Sequence, residues 1–227
     1  MNKLEIFKQL LFKKRRLLRC IFSTLLCQII VTSVVVFYIY KTSTLYNYIV
    51  KDLATPHTNL MMFLLVAINT FLIFAMMSFK MSFTFRFILF TIFSIMQGLF
   101  LGVISKYIPK EIILSALVST ISIFIIFLVV GFIIVYFGFD ISWLGIYLFI
   151  ALLGLIIAQI VFMFIPKSYT ARRYIVIFAL LLFSIYILYD TNLILLKYKD
   201  DGKGCIGGSL SYYLDIMNTF LYSLDSR

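Results

Sequence analysis

The sequence predicts an all-α, polytopic membrane protein with seven transmembrane helices, and three observations carry that prediction. Of 227 residues, 63% are hydrophobic and only 13% are charged, with a mean hydropathy of +1.10. A soluble domain keeps about a quarter of its residues charged, and a chain this short cannot hide so much apolar surface from water in a core of its own. The apolar residues also fall into long runs near the twenty or so that a helix needs to cross about 30 Å of hydrocarbon. Finally, the links between runs are short and carry the punctuation of turns, which leaves no stretch for a soluble domain.

The expected spans are Leu17–Tyr40, His57–Phe79, Thr84–Lys106, Glu111–Gly138, Ser142–Ile165, Arg172–Lys197 and a shorter Gly207–Leu224. The sharpest breaks are Thr55-Pro56, Ile108-Pro109, Gly138-Phe139-Asp140, Ile165-Pro166 and the glycine-rich Asp200–Gly208. Backbone groups in lipid must be satisfied internally, and these runs are too long and continuous for barrel strands. The domain reading is therefore a basic, amphipathic cytosolic tail over residues 1–16, followed by a single seven-helix transmembrane domain over residues 17–227.

The tail places Leu4, Phe7, Leu10 and Leu11 on one face and Lys3, Lys8, Lys13 and Lys14 elsewhere, the pattern of an interfacial helix leading into the first span. A secretory signal is disfavoured, because the apolar run is too long and lacks an A-x-A-like site. Basic residues outnumber acidic ones twenty to nine, and seven of the twenty lie in the first nineteen positions. With this hydropathy the cluster reads as a membrane-surface anchor and a topology signal, not as a nucleic-acid footprint. An inside amino terminus is expected from the tail alone, since the remaining Lys and Arg do not favour it.

Cys20, Cys27 and Cys205 make no disulfide framework and have no metal-ligand spacing. The single histidine, His57, sits beside Pro56, so no metal site or cofactor is expected. No nucleophile–base constellation points to an enzyme. Gly98-x-x-x-Gly102 and Gly154-x-x-x-Ala158 are small-residue patterns that let helix backbones approach in lipid. In the first span Cys20, Thr24, Gln28 and Thr32 recur every four residues, a stripe that either hydrogen-bonds to other helices or lines a conduction path.

Seven of the nine acidic residues are explained by loops, span ends or tails, and two are not. Asp190, in Tyr189-Asp190-Thr191-Asn192, and Asp215, in Tyr212-Tyr213-Leu214-Asp215-Ile216-Met217-Asn218, lie inside predicted helices, where an ionisable residue is by default a functional one. Asp190 lies seven residues before Lys197 and Asp215 seven after Gly208, each about 10 Å below the surface at the short sixth-to-seventh connection. The two carboxyls are thus expected level on antiparallel neighbours. In contact they would resist double ionisation and share a proton, a physical basis for a pH-sensitive gate. The alternative is two separately capped carboxylates. Arg86, near the same surface, is set against two roles: pairing with the closed acidic gate, or snorkelling to headgroups.

Phe183-Ser-Ile-Tyr-Ile-Leu-Tyr-Asp190-Thr191-Asn192 resembles the sixth-helix signature of the Bax inhibitor motif family, and Leu210–Leu221 resembles its seventh. Leu18–Thr32 is similar to the first-helix pattern of the lifeguard and Golgi anti-apoptotic branch, while Glu111–Ala116 and Asp140–Pro166 resemble the fourth and fifth helices. The resemblance implies the Bax inhibitor motif fold, a central hydrophobic helix surrounded by the others, with Asp190 and Asp215 as paired pH sensor and ion gate. It further implies a pH-dependent calcium leak in an intracellular membrane that regulates calcium stores and inhibits apoptosis. Partners on this reading are the lipid bilayer, calcium as permeant ion, and other membrane proteins of cell-death signalling. Golgi or endoplasmic reticulum is the expected membrane, with plasma membrane or a bacterial inner membrane as alternatives. One departure matters: Gln97 stands where many members carry an acid in the third helix. That residue, like Thr24, Gln28 and Thr32, is a candidate for a pore or an interhelical polar stripe. It also supports an alternative function, a non-conducting scaffold that regulates partner membrane proteins.

Overall fold

The computed structural model describes residues 3–42, 58–79, 81–164 and 169–226. Among these residues seven helices follow in order: α1 Lys3–Lys41, α2 Thr58–Ser78, α3 Phe83–Ser105, α4 Lys110–Tyr136, α5 Leu144–Phe164, α6 Tyr169–Leu196 and α7 Gly202–Asp225. Among the described residues there is no strand. Among them, too, α1, α3, α4, α5 and α6 are long and apolar enough to cross a membrane. The expected breaks at Thr55-Pro56 and Ile165-Pro166, and His57, lie outside the described residues.

The helix ends follow local chemistry. Ser82 caps α3 by accepting from the Phe85 N–H at 3.4 Å. At the end of α4, Gly138 adopts φ +87°, a left-handed conformation that glycine enters without a Cβ clash. There Phe139 N donates to Ile134 O at 3.1 Å and Gly138 N to Val135 O at 2.9 Å, the paired bonds of a Schellman close.

The basic tail and the first span form one helix of 39 residues, about 58 Å long. Two expectations are corrected. The glycine-rich stretch expected to be a loop is the start of α7. Asp201 caps it, its carboxylate accepting from Gly204 N at 2.6 Å and its carbonyl from Cys205 N at 3.0 Å, which outweighs the weak helix propensity of the glycines. And Cys20 is joined to Cys205 by a disulfide, with Cα atoms 5.7 Å apart across a sequence separation of 185. No local spacing could have announced that pairing.

The chain forms two compact units. The first comprises Met1–Leu17, Lys110–Asp200 and Ser211–Arg227; the second comprises Leu18–Pro109 and Asp201–Leu210. In the second, the small residues of α3 are packed tightly on α1: a Cβ on Gly98 would lie 2.8 Å from Val35 Cβ, and one on Gly102 would lie 2.8 Å from Ile39 Cβ. The seam between α1 and the start of α7 carries the disulfide and a Ser209 hydroxyl donating to Ile21 O at 3.1 Å.

In the first unit, α5 and α6 share an apolar cluster of Leu148, Leu155, Ala179, Leu182 and Phe183. The small-residue pattern of α5 is not used as expected. Gly154 faces open space and lines, with Ala151, Ala158 and Tyr174, an apolar groove of about 360 Å³. The first turns of α1 belong to this unit as well. The Phe7 ring meets Tyr136 edge-on at 5.5 Å, and the Lys14 ammonium donates to the Tyr198 carbonyl.

Candidate functional site

The four residues Tyr189-Asp190-Thr191-Asn192 occupy one turn of α6, about 100° apart in projection, and each meets a different neighbour. The Tyr189 hydroxyl lies where a side chain on Gly145 would have to go, so α5 approaches α6 at that glycine. Thr191 sits against Gly131 of α4, where an added Cβ would come within 2.7 Å of the Thr191 Cβ. Asn192 ties α6 to the α4–α5 link, donating to Phe139 O at 2.8 Å and accepting from Ile141 N at 3.2 Å. Asp190 points at α7. An ionisable residue at this point is enclosed by packing, because the residues before and after it hold α6 to α4, α5 and their link.

On α7 the opposing face is built by residues four apart, which stack on one side of a helix. Ser211 and Asp215 both reach Asp190: its carboxyl interacts with the Ser211 hydroxyl and with the Asp215 carboxyl. Asp190 retains 8% of its surface and Asp215 4%. Oδ2 of Asp215 is buried with no hydrogen-bond partner of ordinary geometry. Beside the pair, Thr191 Oγ1 and the Tyr212 hydroxyl lie 2.9 Å apart. Tyr212 itself is fully buried, with Phe124 of α4 edge-on at 5.4 Å. Two carboxyls thus share an enclosed interface flanked by hydroxyls, with Tyr186 and Tyr189 on the α6 side.

The expected depth match needs revising. Because α7 begins at Gly202 rather than Gly207, Asp215 lies thirteen residues into its helix while Asp190 lies six before the end of α6. The carboxyls meet nonetheless, and Ser211, which the sequence reading passed over, is the group one turn nearer the link. Its signal was available: a hydroxyl at i−4 from a buried carboxylate shares that carboxylate's helix face.

The polar stripe of α1 lies in the second unit and is buried. Gln28 Nε2 donates to Thr91 Oγ1 at 3.1 Å, the Thr32 hydroxyl to Ser94 O at 3.2 Å, and Thr24 Oγ1 is 3.8 Å from Cys205 Sγ. This is interhelical hydrogen bonding in geometry, with Gln28 Oε1 left unsatisfied. Gln97 is half-buried on α3. Arg86 is also in the second unit. Its Nη2 donates to the Phe79 carbonyl at 2.8 Å, it keeps only 4% of its surface, and its Nε is buried without a partner.

Two surface ion pairs were also missed. Lys197 Nζ is 2.7 Å from Asp140 Oδ2, and Arg172 pairs with Asp225. Hydrogen bonds from Lys197 and Ser142 hold the exposed Asp140 carboxyl down at about 2.

A family model described as "Inhibitor of apoptosis-promoting Bax1" matches residues 14–225. Among curated proteins, the chain is 32% identical to "Bax inhibitor 1" of Schizosaccharomyces pombe over 130 residues, covering 57% of this chain and 47% of that protein. It is 28% identical to "BI1-like protein" of Arabidopsis thaliana over 210 residues, 90% of this chain and 77% of that protein. It is 29% identical to "Protein LIFEGUARD 4" of the same plant over 136 residues, 60% of this chain and 54% of the relative. The chain therefore spans about half the length of two of these relatives and about three quarters of the other.

Proposed function

The chain belongs to the family of inhibitors of apoptosis-promoting Bax1, and from that premise we propose that it is a pH-sensitive calcium leak channel of an intracellular membrane, in the Golgi or endoplasmic reticulum, that regulates calcium stores and restrains apoptosis. The observation that carries this reading is the buried Asp190–Asp215 pair between α6 and α7. Relatives named for Bax inhibition support the cell-death role.

The chemistry is that of a shared proton. With one proton between them, the carboxyls hydrogen-bond and tie α7 to α6. Raising the pH removes that proton and leaves two like charges in a poorly screened site, and each tie between the helices then works against repulsion. Calcium is the permeant ion, not a resident cofactor.

The test is calcium flux through proteoliposomes containing only this protein, between about pH 5 and 8. The parent, Asp190→Asn, Asp215→Asn and the double variant are compared. Each single change is expected to abolish most of the pH response, and the double to add little, because the pair titrates as one unit. Single variants that conduct with the parental profile would make both aspartates structural.

A second reading, a non-conducting scaffold for partner membrane proteins of cell-death signalling, is favoured by one observation. Gln97 on α3 is a neutral amide where the family resemblance implies an acid in many members, so cation attraction is weaker there. Liposomes that stay tight to calcium at every pH would decide for it.

A further inference from the structure

The disulfide between Cys20 of α1 and Cys205 of α7 lies close to the ends of the apolar segments it joins. Cys20 is three residues past Leu17, where the first span is expected to begin, and Cys205 is three residues past Gly202, where α7 begins. At 1.5 Å per residue each is carried only about 5 Å beyond those ends, on the amino-terminal side of the membrane. With the basic tail marking the inside face, that side is the cytosol. Thiols are kept reduced there, and a disulfide in that setting belongs to redox chemistry more than to permanent cross-linking.

Three features of the second unit suit thiol exchange. Cys20 is half-buried whereas Cys205 keeps 2% of its surface, so an incoming thiol has access to one sulfur and not the other. Thr24 Oγ1 lies 3.8 Å from Cys205 Sγ. A disulfide sulfur carries no proton, so the hydroxyl is the donor, directed at the sulfur that must leave with negative charge. The exposed side chains beside the bond are basic: Arg19 precedes Cys20, and Lys203 lies two residues before Cys205. The acid of that turn, Asp201, has its carboxylate engaged on Gly204 N at 2.6 Å. The seam also has hydrogen bonding of its own, from Ser209 to Ile21 O at 3.1 Å, which keeps the two cysteines near one another when the bond opens.

We propose that Cys20–Cys205 is a reversible thiol–disulfide exchange site, used by an anionic low-mass thiol and its disulfide on the amino-terminal side, that locks or frees the start of α7 against α1. Its premise is the inside tail, not calcium conduction. A thiolate attacks Cys20 Sγ in line with the sulfur–sulfur bond, and that bond breaks with its electron pair on Cys205 Sγ. A second thiolate then attacks the outer sulfur of the mixed disulfide and releases Cys20. Two small thiols become one disulfide, two electrons pass to the cysteines, and the two protons given up by the small thiols end on Cys20 and Cys205. Oxidation by the small disulfide is the same sequence reversed.

The full-length protein carrying Cys27→Ser is equilibrated in detergent with glutathione and glutathione disulfide at stepped ratios. It is then acid-quenched, denatured, alkylated and weighed, so that each molecule shows no adduct or two. The reduced fraction is expected to climb from near none to near all across these buffers and to fall back when the ratio is reversed. A bond that stays closed in every glutathione buffer, and opens only to a phosphine after unfolding, overturns the proposal. In the same background, Cys205→Ser treated with glutathione disulfide is expected to gain one glutathione at Cys20, and Cys20→Ser to gain none in that time. Labelling of neither variant, or of both equally, overturns the assignment of Cys20 as the attacked sulfur. Replacing Arg19 and Lys203 by Gln is expected to slow reduction by glutathione about threefold or more. Reduction by 2-mercaptoethanol, which lacks carboxylates, is expected to slow less; equal slowing, or none, overturns the anionic thiol as reactant. In sealed vesicles with glutathione outside only, the reduced fraction is expected to equal the tail-out fraction, measured in a second aliquot by trypsin cleavage of the basic tail. Reduction confined to tail-in molecules overturns the proposal, as does a tail that a protease reaches only from the luminal side in cells. Calcium enters none of these readouts, so a failure of the channel reading is separable from a failure of this one.

Discussion

Replacing Gly131 by alanine probes the approach of α4 to α6 on which Thr191, and through it the acidic pair, depends. An added Cβ would lie 2.7 Å from Thr191 Cβ and 2.8 Å from its Cγ2. Both atoms belong to a β-branched side chain whose χ1 is restricted in a helix, so neither can swing aside. The helices must part by about 1 Å to restore carbon contacts near 3.5–4.0 Å. Overpacking of this kind costs about 1–3 kcal/mol. The 2.9 Å contact between Thr191 and Tyr212, worth about 1 kcal/mol net, is disturbed as well, while alanine's better helix propensity returns about 1 kcal/mol. Those last two effects roughly cancel, which leaves a net loss of about 1–3 kcal/mol. At about 2–4 °C per kcal/mol for a chain of this size, Tm is expected to fall by about 2–12 °C. The assay is thermal unfolding of the purified protein in detergent, followed by circular dichroism. Gly154→Ala is the matched control, because its Cβ would enter open space and only the propensity gain remains. A Gly131→Ala protein as stable as Gly154→Ala would refute the close α4–α6 approach.

Two further outcomes follow from the covalent and ionic ties. With Cys20 and Cys205 joined and Cys27 exposed, alkylation of the denatured protein without reductant is expected to add one adduct by mass, and three after reduction; three adducts without reductant would remove the disulfide. Asp140, held down at about 2 by Lys197 and Ser142, contributes a stabilisation that is complete above its unfolded value near 4 and is lost only as pH falls through about 2. It does not titrate between about pH 5 and 8, so Asp140→Asn is expected to leave the pH midpoint of calcium flux unmoved. A shifted midpoint would assign part of the pH response to this surface pair.

The helical architecture was legible because hydrophobic length in a membrane chain is a direct consequence of bilayer thickness. Helix starts for α3 to α6 lie within three residues of the expected spans, and the turn at Gly138 was marked by a residue suited to φ +87°. The start of α7 was not legible. Four glycines among residues 202–208 argue against a helix, and the Asp201 cap and the packing around Gly202, whose Cβ would lie 3.0 Å from Phe83 Cβ, outweigh them. The acidic pair was visible as two carboxylates without another explanation. Its neighbour Ser211 was not, because a serine is an ordinary residue in any helix and acquires meaning only beside Asp190. The disulfide joins residues 185 apart, and such pairings leave no trace in local spacing. Arg86 illustrates a different limit. Near a span end an arginine is expected to reach for headgroups, and only the coordinates place its guanidinium beneath the Phe79 carbonyl.

The magnitudes explain why one neutralised aspartate should be enough to silence a pH response. Two unit charges about 4 Å apart repel by about 4 kcal/mol at an effective dielectric near 20. The ties that hold this part of α7 to α6 are smaller. The Thr191–Tyr212 contact supplies about 1 kcal/mol. The stacked Phe183 and Tyr222 rings, 5.8 Å apart at 25°, supply about 0.5–1.5 kcal/mol. The partly exposed Arg172–Asp225 pair supplies at most about 1 kcal/mol. Double ionisation therefore exceeds or matches the sum of these ties, and a single ionisation, with no like charge opposite, does not. The ties are also unevenly placed. Tyr222 and Asp225 hold the far end of α7, whereas the Thr191–Tyr212 contact holds it beside the pair. Repulsion in a doubly ionised pair acts against that nearby contact, and Asn at either position removes the repulsion while keeping a hydrogen-bonding group. For that reason the two single variants and the double variant are expected to converge on one pH-insensitive behaviour.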